Sequence, residues 1–206
     1  MARRTVTVSG AGQAAVSPDV VRLELRVGHD AEDVAAALVG ASEGMTRLAS
    51  IVREHGVTDA DIRTLDATVG QRWDSTGTPV GFTAQQRLSV TVRRLESVGE
   101  ILAAAAASIG NALLVDQVRL DVSDRRDGLR RARDAAFADA RDKAEQYAAL
   151  CDAELGRVLG VAEAGAVPLG MRQGKLMAAA MDSAGMPVEG GDLDLAASVT
   201  VTWELR

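Results

Sequence analysis

A glycine motif near the start of the chain has the residue types that bind the pyrophosphate of a dinucleotide. Residues 5–27 read TVTVSGAGQAAVSPDVVRLELRV and contain Gly10-x-Gly12-x-x-Ala15. This motif binds phosphate only where the glycine turn opens a helix, because the free N–H groups and the dipole of the helix terminus hold the anion. Here Pro18 follows, and apolar and charged residues then alternate with the period of a strand. We therefore expect strand, turn and strand, with no bound nucleotide and no other cofactor.

A second motif, residues 40–44, matches G-x-S-x-G, the outline of the nucleophile elbow of serine hydrolases. The elbow places its serine on a strained turn between a strand and a helix. Ser42 falls within a helical period, and no strand pattern precedes it. The histidine that a triad needs would have to be His29 or His55. We expect Ser42 to be an ordinary helix residue and no catalytic residue to be present; a small serine hydrolase that uses Ser42 is the alternative.

Metal and thiol chemistry have little support from the residue types. Two histidines and one cysteine cannot close a zinc site without carboxylates. Asp59, Asp61 and Asp66 lack the glycine and the terminal glutamate of a calcium loop. We expect no metal site, and we expect Cys151 to be a buried, unreactive thiol near the end of a helix.

Length, charge and composition bound the class of protein. The chain has 206 residues, a net charge of -6 and only 2% aromatic residues, which predicts a single domain over residues 1–206 with an aliphatic, alanine-rich core. Its acidity argues against a nucleic-acid partner. No apolar run approaches the roughly 20 residues of a transmembrane helix. With no leader pattern, the expected location is cytoplasmic, or periplasmic or secreted if a leader has been removed.

The hydrophobic period changes several times along the chain and predicts its elements. A short strand around Val6 and Val8 precedes a region, residues 20–122, that reads as strand, helix, strand, strand, helix and strand. That order is typical of the ferredoxin-like, split βαβ fold. We predict an α+β fold with a mostly antiparallel βαββαβ sheet, extended by a long third helix over residues 125–151 and a terminal strand over residues 193–206.

The predicted third helix has one apolar stripe and a charged opposite face. The stripe comprises Leu129, Ala132, Ala136, Ala140, Ala144, Tyr147 and Cys151. Opposite charges lie four residues apart at 127 and 131, 130 and 134, 139 and 143, and 141 and 145. Arg133 and Lys143 border the stripe, where their stems can cover apolar surface while their charges reach an acidic partner. Because the charges are balanced, a solvated face is favoured over a binding patch.

Residues 165–192 form a glycine-rich segment with a distinct set of candidate contacts. It contains Met171, Met177, Met181 and Met186. Methionine adapts to irregular apolar surfaces and is common where proteins meet. We expect this flexible loop either to order against another subunit or to be disordered.

Read in order, these pieces resemble the SIMPL-domain family, which includes bacterial periplasmic immunogenic and oxidative-stress-defence proteins. The matching stretches run almost from end to end: VTVSGAG, VSPDVVRLELRV, GVTDADIRTLD, GFTAQQRLSVTVR, AFADARDKAEQYA, LGRVLGV and ASVTVTWEL. The resemblance implies self-assembly, and it implies no reaction, cofactor or catalytic residue.

Together, pattern and resemblance predict a non-enzymatic protein that forms homo-oligomers. A stress-related role is implied by the resemblance alone. An adaptor that binds a protein partner without self-assembly is the alternative.

Overall fold

The computed structural model describes residues 4–163 and 191–206, which form two compact units. The terminal unit comprises residues 4–17, 122–163 and 191–206, and the central unit comprises residues 18–121. Both combine helices with antiparallel strands, so the predicted α+β class is confirmed. A single domain over residues 1–206 stays a prediction.

The strands and helices, in chain order, are β1 (Thr5–Val16), β2 (Val20–Ala31), α1 (Val34–Glu54), β3 (Ile62–Trp73), β4 (Pro79–Val92), α2 (Ser97–Ile109), β5 (Leu113–Asp121), α3 (Arg126–Leu150), β6 (Leu155–Glu163) and β7 (Leu193–Leu205). None of the described helices is long and apolar enough to cross a bilayer.

The central unit is a four-stranded antiparallel sheet in the order β3-β4-β2-β5. If the four strands of this unit are numbered 1 to 4 along the chain, their order read from the β5 edge is 4-1-3-2, which is the order of the ferredoxin-like fold. The predicted βαββαβ core is therefore confirmed. Its core forms because alternate residues of the strands face the helices: Val21, Leu23, Leu25 and Val27 of β2 are all at most 1% exposed. α1 packs mainly on β2 and β4.

The ends of α1 follow from local chemistry. The Asp33 carboxylate accepts a hydrogen bond of 2.9 Å from the Ala36 N–H, which satisfies one of the free donors of the first turn. The helix ends at Glu54 with His55 as its C-cap, and Gly56 follows with φ at 84°, a left-handed conformation that glycine adopts without strain.

The terminal unit is a three-stranded antiparallel sheet, β1-β7-β6, covered on one face by α3. The residues of α3 that are buried recur every four positions: Gly128, Ala132, Ala136, Ala140, Ala144 and Ala148. Beside them Phe137 contacts Trp203 of β7 with ring centroids 6.1 Å apart, and Trp203 is only 3% exposed. This pair adds an aromatic contact to a core of alanine, valine and leucine side chains.

Gly10 and Gly12 lie inside β1 and face the backbone of α3. A Cβ built on Gly10 would lie 2.1 Å from the Ala136 carbonyl oxygen. One built on Gly12 would lie 2.2 Å from the Ala132 carbonyl oxygen. The space that a pyrophosphate would occupy beside these glycines is therefore filled by a helix, and the glycine motif serves strand–helix packing.

Two expectations for the terminal unit were wrong. The first strand is not short, and the glycines do not form a turn, since β1 runs on through them to Val16. The buried stripe of α3 also does not include its last two predicted members: Tyr147 is 51% exposed and Cys151 is exposed. Residues four apart form a ridge inclined to the helix axis by about 26°, and this ridge leads to Ala148 instead.

Gly12→Ala is expected to lower the free energy of unfolding of the terminal unit by about 1–3 kcal/mol, because the added methyl group must displace the backbone of α3. Urea unfolding followed by Trp203 fluorescence, in a Trp73→Phe background, measures this change.

The matched control is Gly160→Ala in β6 of the same sheet, where nothing lies within 4 Å of the added Cβ. Its unfolding free energy should stay within about 1 kcal/mol of the parent. An equal loss of unfolding free energy in the two variants would show that the close contact between β1 and α3 does not make an added methyl group more destabilising.

Candidate interaction surface

Ser42 lies on the exposed side of α1, in the middle of the helix, as its helical period predicted. The glycines around it have packing roles. A Cβ on Gly40 would lie 2.2 Å from the His29 ring, and one on Gly44 would lie 2.6 Å from a methyl group of Val27. Because residues two apart in a helix point about 200° apart, Ser42 faces away from His29.

The second histidine and the cysteine also have local explanations. The His55 ring Nδ1 lies 2.8 Å from the Ile51 carbonyl oxygen at the end of α1. Cys151 follows α3 and is exposed, so the expectation of a buried thiol was wrong. The helix ridge turns away before reaching it, which leaves the side chain at the surface.

The aspartates considered for calcium are each held by a different arginine. Asp59 pairs with Arg53, Asp61 with Arg93 and Asp66 with Arg87. The hydrogen bond from Arg93 holds the pKa of the Asp61 carboxyl below its ordinary value. Among the described residues, no group of three or more His, Cys, Asp or Glu side chains is placed to hold a metal ion.

Arg133 and Lys143, the candidate interaction residues of α3, are both engaged within the terminal unit. Arg133 Nε donates to Glu163 of β6 at 2.7 Å. Lys143 Nζ donates to Asp139 at 2.6 Å and to the Ser9 carbonyl at 3.1 Å. A role for either side chain toward an acidic partner stays a prediction. The four candidate methionines, Met171, Met177, Met181 and Met186, lie outside the described residues.

Side chains of α3 cover the outer edge of β1. Asp139 accepts a hydrogen bond of 2.8 Å from the Ala11 N–H, and Arg131 donates to the Ala15 carbonyl at 3.0 Å. With the contact from Lys143 to Ser9, three backbone groups of this edge have side-chain partners. Arg131 was expected to pair with Asp127 four residues earlier; it reaches the strand instead. A covered edge is a poor template for another strand.

The outer edge of β3, in the central unit, has a different character. β3 is an edge strand of its sheet, and no strand in the described part of the chain pairs with its outer side. Three of its large apolar side chains are exposed, Leu65 at 40%, Val69 at 45% and Trp73 at 59%. Because α1 packs mainly over β2 and β4, these side chains are left uncovered. The structure therefore offers this edge as the candidate interaction surface.

Sequence reasoning missed this edge because it is a property of strand order. The alternation of residues 62–73 predicts a strand but does not say which neighbour it has. The sequence shows only that Trp73 precedes the turn residues DSTGTP, and it gives no sign that this side chain is exposed.

The hydrogen bond from Lys143 lowers the pKa of the Asp139 carboxyl below its ordinary value, and the hydrogen bond from the Ala11 N–H lowers it further. Because the pKa of Asp139 is lower in the folded protein, its ionised carboxylate stabilises the fold at pH values above the ordinary pKa of 3.8. This stabilisation is lost as the pH falls through the pKa of the folded protein. Lys143→Met is expected to raise the Asp139 pKa, as measured by carboxyl ¹³C NMR titration. The matched variant Arg141→Met removes a cation that pairs with Glu145 and should leave Asp139 unchanged. An unchanged Asp139 pKa in Lys143→Met would contradict the assigned contact.

Comparison with known proteins places these units in a known sequence family. Residues 6–203 match the family model SIMPL, described as a protein of unknown function (DUF541). The chain is similar to the 26 kDa periplasmic immunogenic protein of Brucella melitensis biotype 1, with 27% identity over 217 residues. It is equally similar to the protein of the same name in Brucella abortus strain S19, again at 27% identity. Each alignment covers 98% of this chain and 84% of the relative.

The family match runs from inside β1 to inside β7, so it covers both units described above. This chain belongs to the SIMPL family, for which no function is established.

Proposed function

We propose that this protein is a non-enzymatic structural component that assembles with further copies of itself. The observation that carries the proposal is the outer edge of β3, with which no strand in the described part of the chain pairs and which has exposed apolar side chains. Such an edge is a template for another strand. In the terminal unit, by contrast, side chains of α3 bind backbone groups along the β1 edge.

The relatives bear on where this assembly acts. Both are named as periplasmic immunogenic proteins. We therefore propose the periplasm as the compartment; the cytoplasmic location expected from the sequence has no support from these relatives. The stress-related role rests on the resemblance alone, and none of the contacts described above adds to it.

Sedimentation velocity of the purified protein, from low to high micromolar concentration, tests the assembly. The sedimentation coefficient is expected to rise with concentration above that of a 21.5 kDa monomer, because strand pairing between copies follows mass action. A strict monomer throughout the range would refute self-assembly and favour an adaptor that binds a different protein.

The non-enzymatic proposal and the hydrolase alternative make opposite predictions about the reactivity of Ser42. Neither histidine lies beside the exposed Ser42 in the described part of the chain, so a fluorophosphonate probe is expected to leave the native protein unlabelled. Mass spectrometry of the treated protein measures the label, with a known serine hydrolase as the positive control. Labelling that Ser42→Ala abolishes, with Ser50→Ala in the same helix as the matched control, would overturn the non-enzymatic proposal.

A further inference from the structure

We propose that the β3 strands of two copies pair antiparallel about a two-fold axis at Val69, so that Val69 of one copy lies directly opposite Val69 of the other. The inference rests on the proposed self-assembly and deepens it by naming the surface and the register. It makes the sheets of two central units one continuous sheet, joined through main-chain hydrogen bonds.

The regular part of β3 sets the limits of the pairing. The register against β4 shifts between Thr64 and Asp66, and again between Arg72 and Trp73. Such bulges bend a strand and interrupt its ladder, so residues 66–72 form the regular stretch between them. Val69 is the midpoint of this stretch. A two-fold axis through Val69 therefore lets each copy use the whole regular stretch.

The charges of the stretch are complementary to themselves in this register. With Val69 opposite its own copy, Asp66 lies opposite Arg72 of the second copy, and the same pair recurs on the other side of the axis. Opposite charges directly across two strands stabilise their pairing. Moving the axis to Thr68 would place Asp66 opposite Gly70, and moving it to Gly70 would place Asp66 opposite Asp74. Those neighbouring registers lose the favourable pairs, and the second adds a repulsive one.

The apolar residues agree with the same register. Val69 pairs with Ala84 of β4, which is buried beneath α1, so Val69 lies on the helix-covered face of the sheet. In the dimer Val69 would meet Val69 of the second copy on that face, and Leu65 and Trp73 would flank the regular stretch at its two ends. All three residues are exposed in the isolated chain, and pairing would remove apolar surface from water.

The existing ion pairs leave the charged residues available for this contact. Arg72 Nη1 lies 2.7 Å from Asp30, and Asp66 pairs with Arg87. Asp66 and Arg72 keep 42% and 40% of their side-chain surface exposed. Each Asp66–Arg72 contact across the axis would join two such pairs into one network. A strand whose opposite charges are symmetric about its own midpoint fits a second copy of itself better than an unrelated strand.

Disulfide cross-linking tests the register. In a Cys151→Ser background, Val69→Cys is expected to give a covalent dimer on mild oxidation, because residues at the axis lie about 4.5–5.5 Å apart between Cβ atoms. Ala67→Cys alone and Gln71→Cys alone should stay monomeric on a non-reducing gel. In either single variant the two cysteines lie four residues apart along the strands, about 13 Å, which no disulfide spans.

A mixture of the Ala67→Cys and Gln71→Cys proteins supplies the decisive arm. Residue 67 of one copy lies opposite residue 71 of the other in this register, so the mixture is expected to cross-link although neither variant does alone. Cross-linking of Ala67→Cys by itself would assign a different register and overturn the inference. Self-association without any of these cross-links would also overturn it while leaving the proposed function standing. A strict monomer would remove both.

A charge at the axis gives an independent measurement by sedimentation. Val69→Lys places two ammonium groups directly opposite each other and is expected to weaken dimerisation about tenfold or more. Val39→Lys, an equal change at a 58% exposed position of α1, is the matched control and should leave the dissociation constant unchanged. Equal dissociation constants for the two variants would place the interface elsewhere.

Discussion

The close approach of α3 to β1 is the constraint on which the terminal unit depends. Two residues of a strand span about 6.8 Å and four residues of a helix span about 6 Å. A small residue at every second strand position can therefore meet a small residue at every fourth helix position, and Gly10 and Gly12 meet Ala132, Ala136 and Ala140 in this way. With 2% aromatic residues in the chain, the unit gains its packing from short distances between backbones instead of from large side chains.

This short distance also determines how the edge of β1 is covered. Because α3 lies close to the edge strand, medium-length side chains such as Asp139 reach its backbone N–H groups. The alanine stripe fixes the rotation of the helix, and that rotation points Arg131, Asp139 and Lys143 toward the strand edge. In the central unit α1 packs mainly over β2 and β4 and makes few contacts with the edge strand β3. The open edge of β3 is thus a consequence of where the helices pack in each unit.

Much of the fold could be predicted from the sequence because, in the central unit, the hydrophobic period agrees with the positions of the capping and turn residues. Val20 to Val27 alternate, α1 is bounded by Asp33 and Gly56, and the order of elements matches a known sheet order. The prediction failed where a residue's role depends on a distant neighbour. Gly10 and Gly12 look like a turn until a helix is known to cross them, and Cys151 looks buried until the direction of the buried ridge is known.

The candidate surface could not be predicted for the same reason. Leu65, Val69 and Trp73 have the spacing of a half-buried strand, and only the strand order shows that their strand has an open side. The bulges that isolate residues 66–72 leave no mark in the sequence, since ordinary residues occupy them. A motif search instead selects glycine patterns, and in this chain both patterns are used for packing.

Strand pairing is the mode of association that suits this composition. Interfaces built on side chains depend on a few buried aromatic or arginine residues that fill pockets on the partner. Here Trp203 is already buried in the terminal unit, and Trp73 lies at the end of the open edge. Main-chain hydrogen bonds need no large side chains, and their spacing is fixed by the backbone. Opposite charges at equal distances from Val69 then add what the backbone lacks, which is a preference for one register and for a strand of the same sequence.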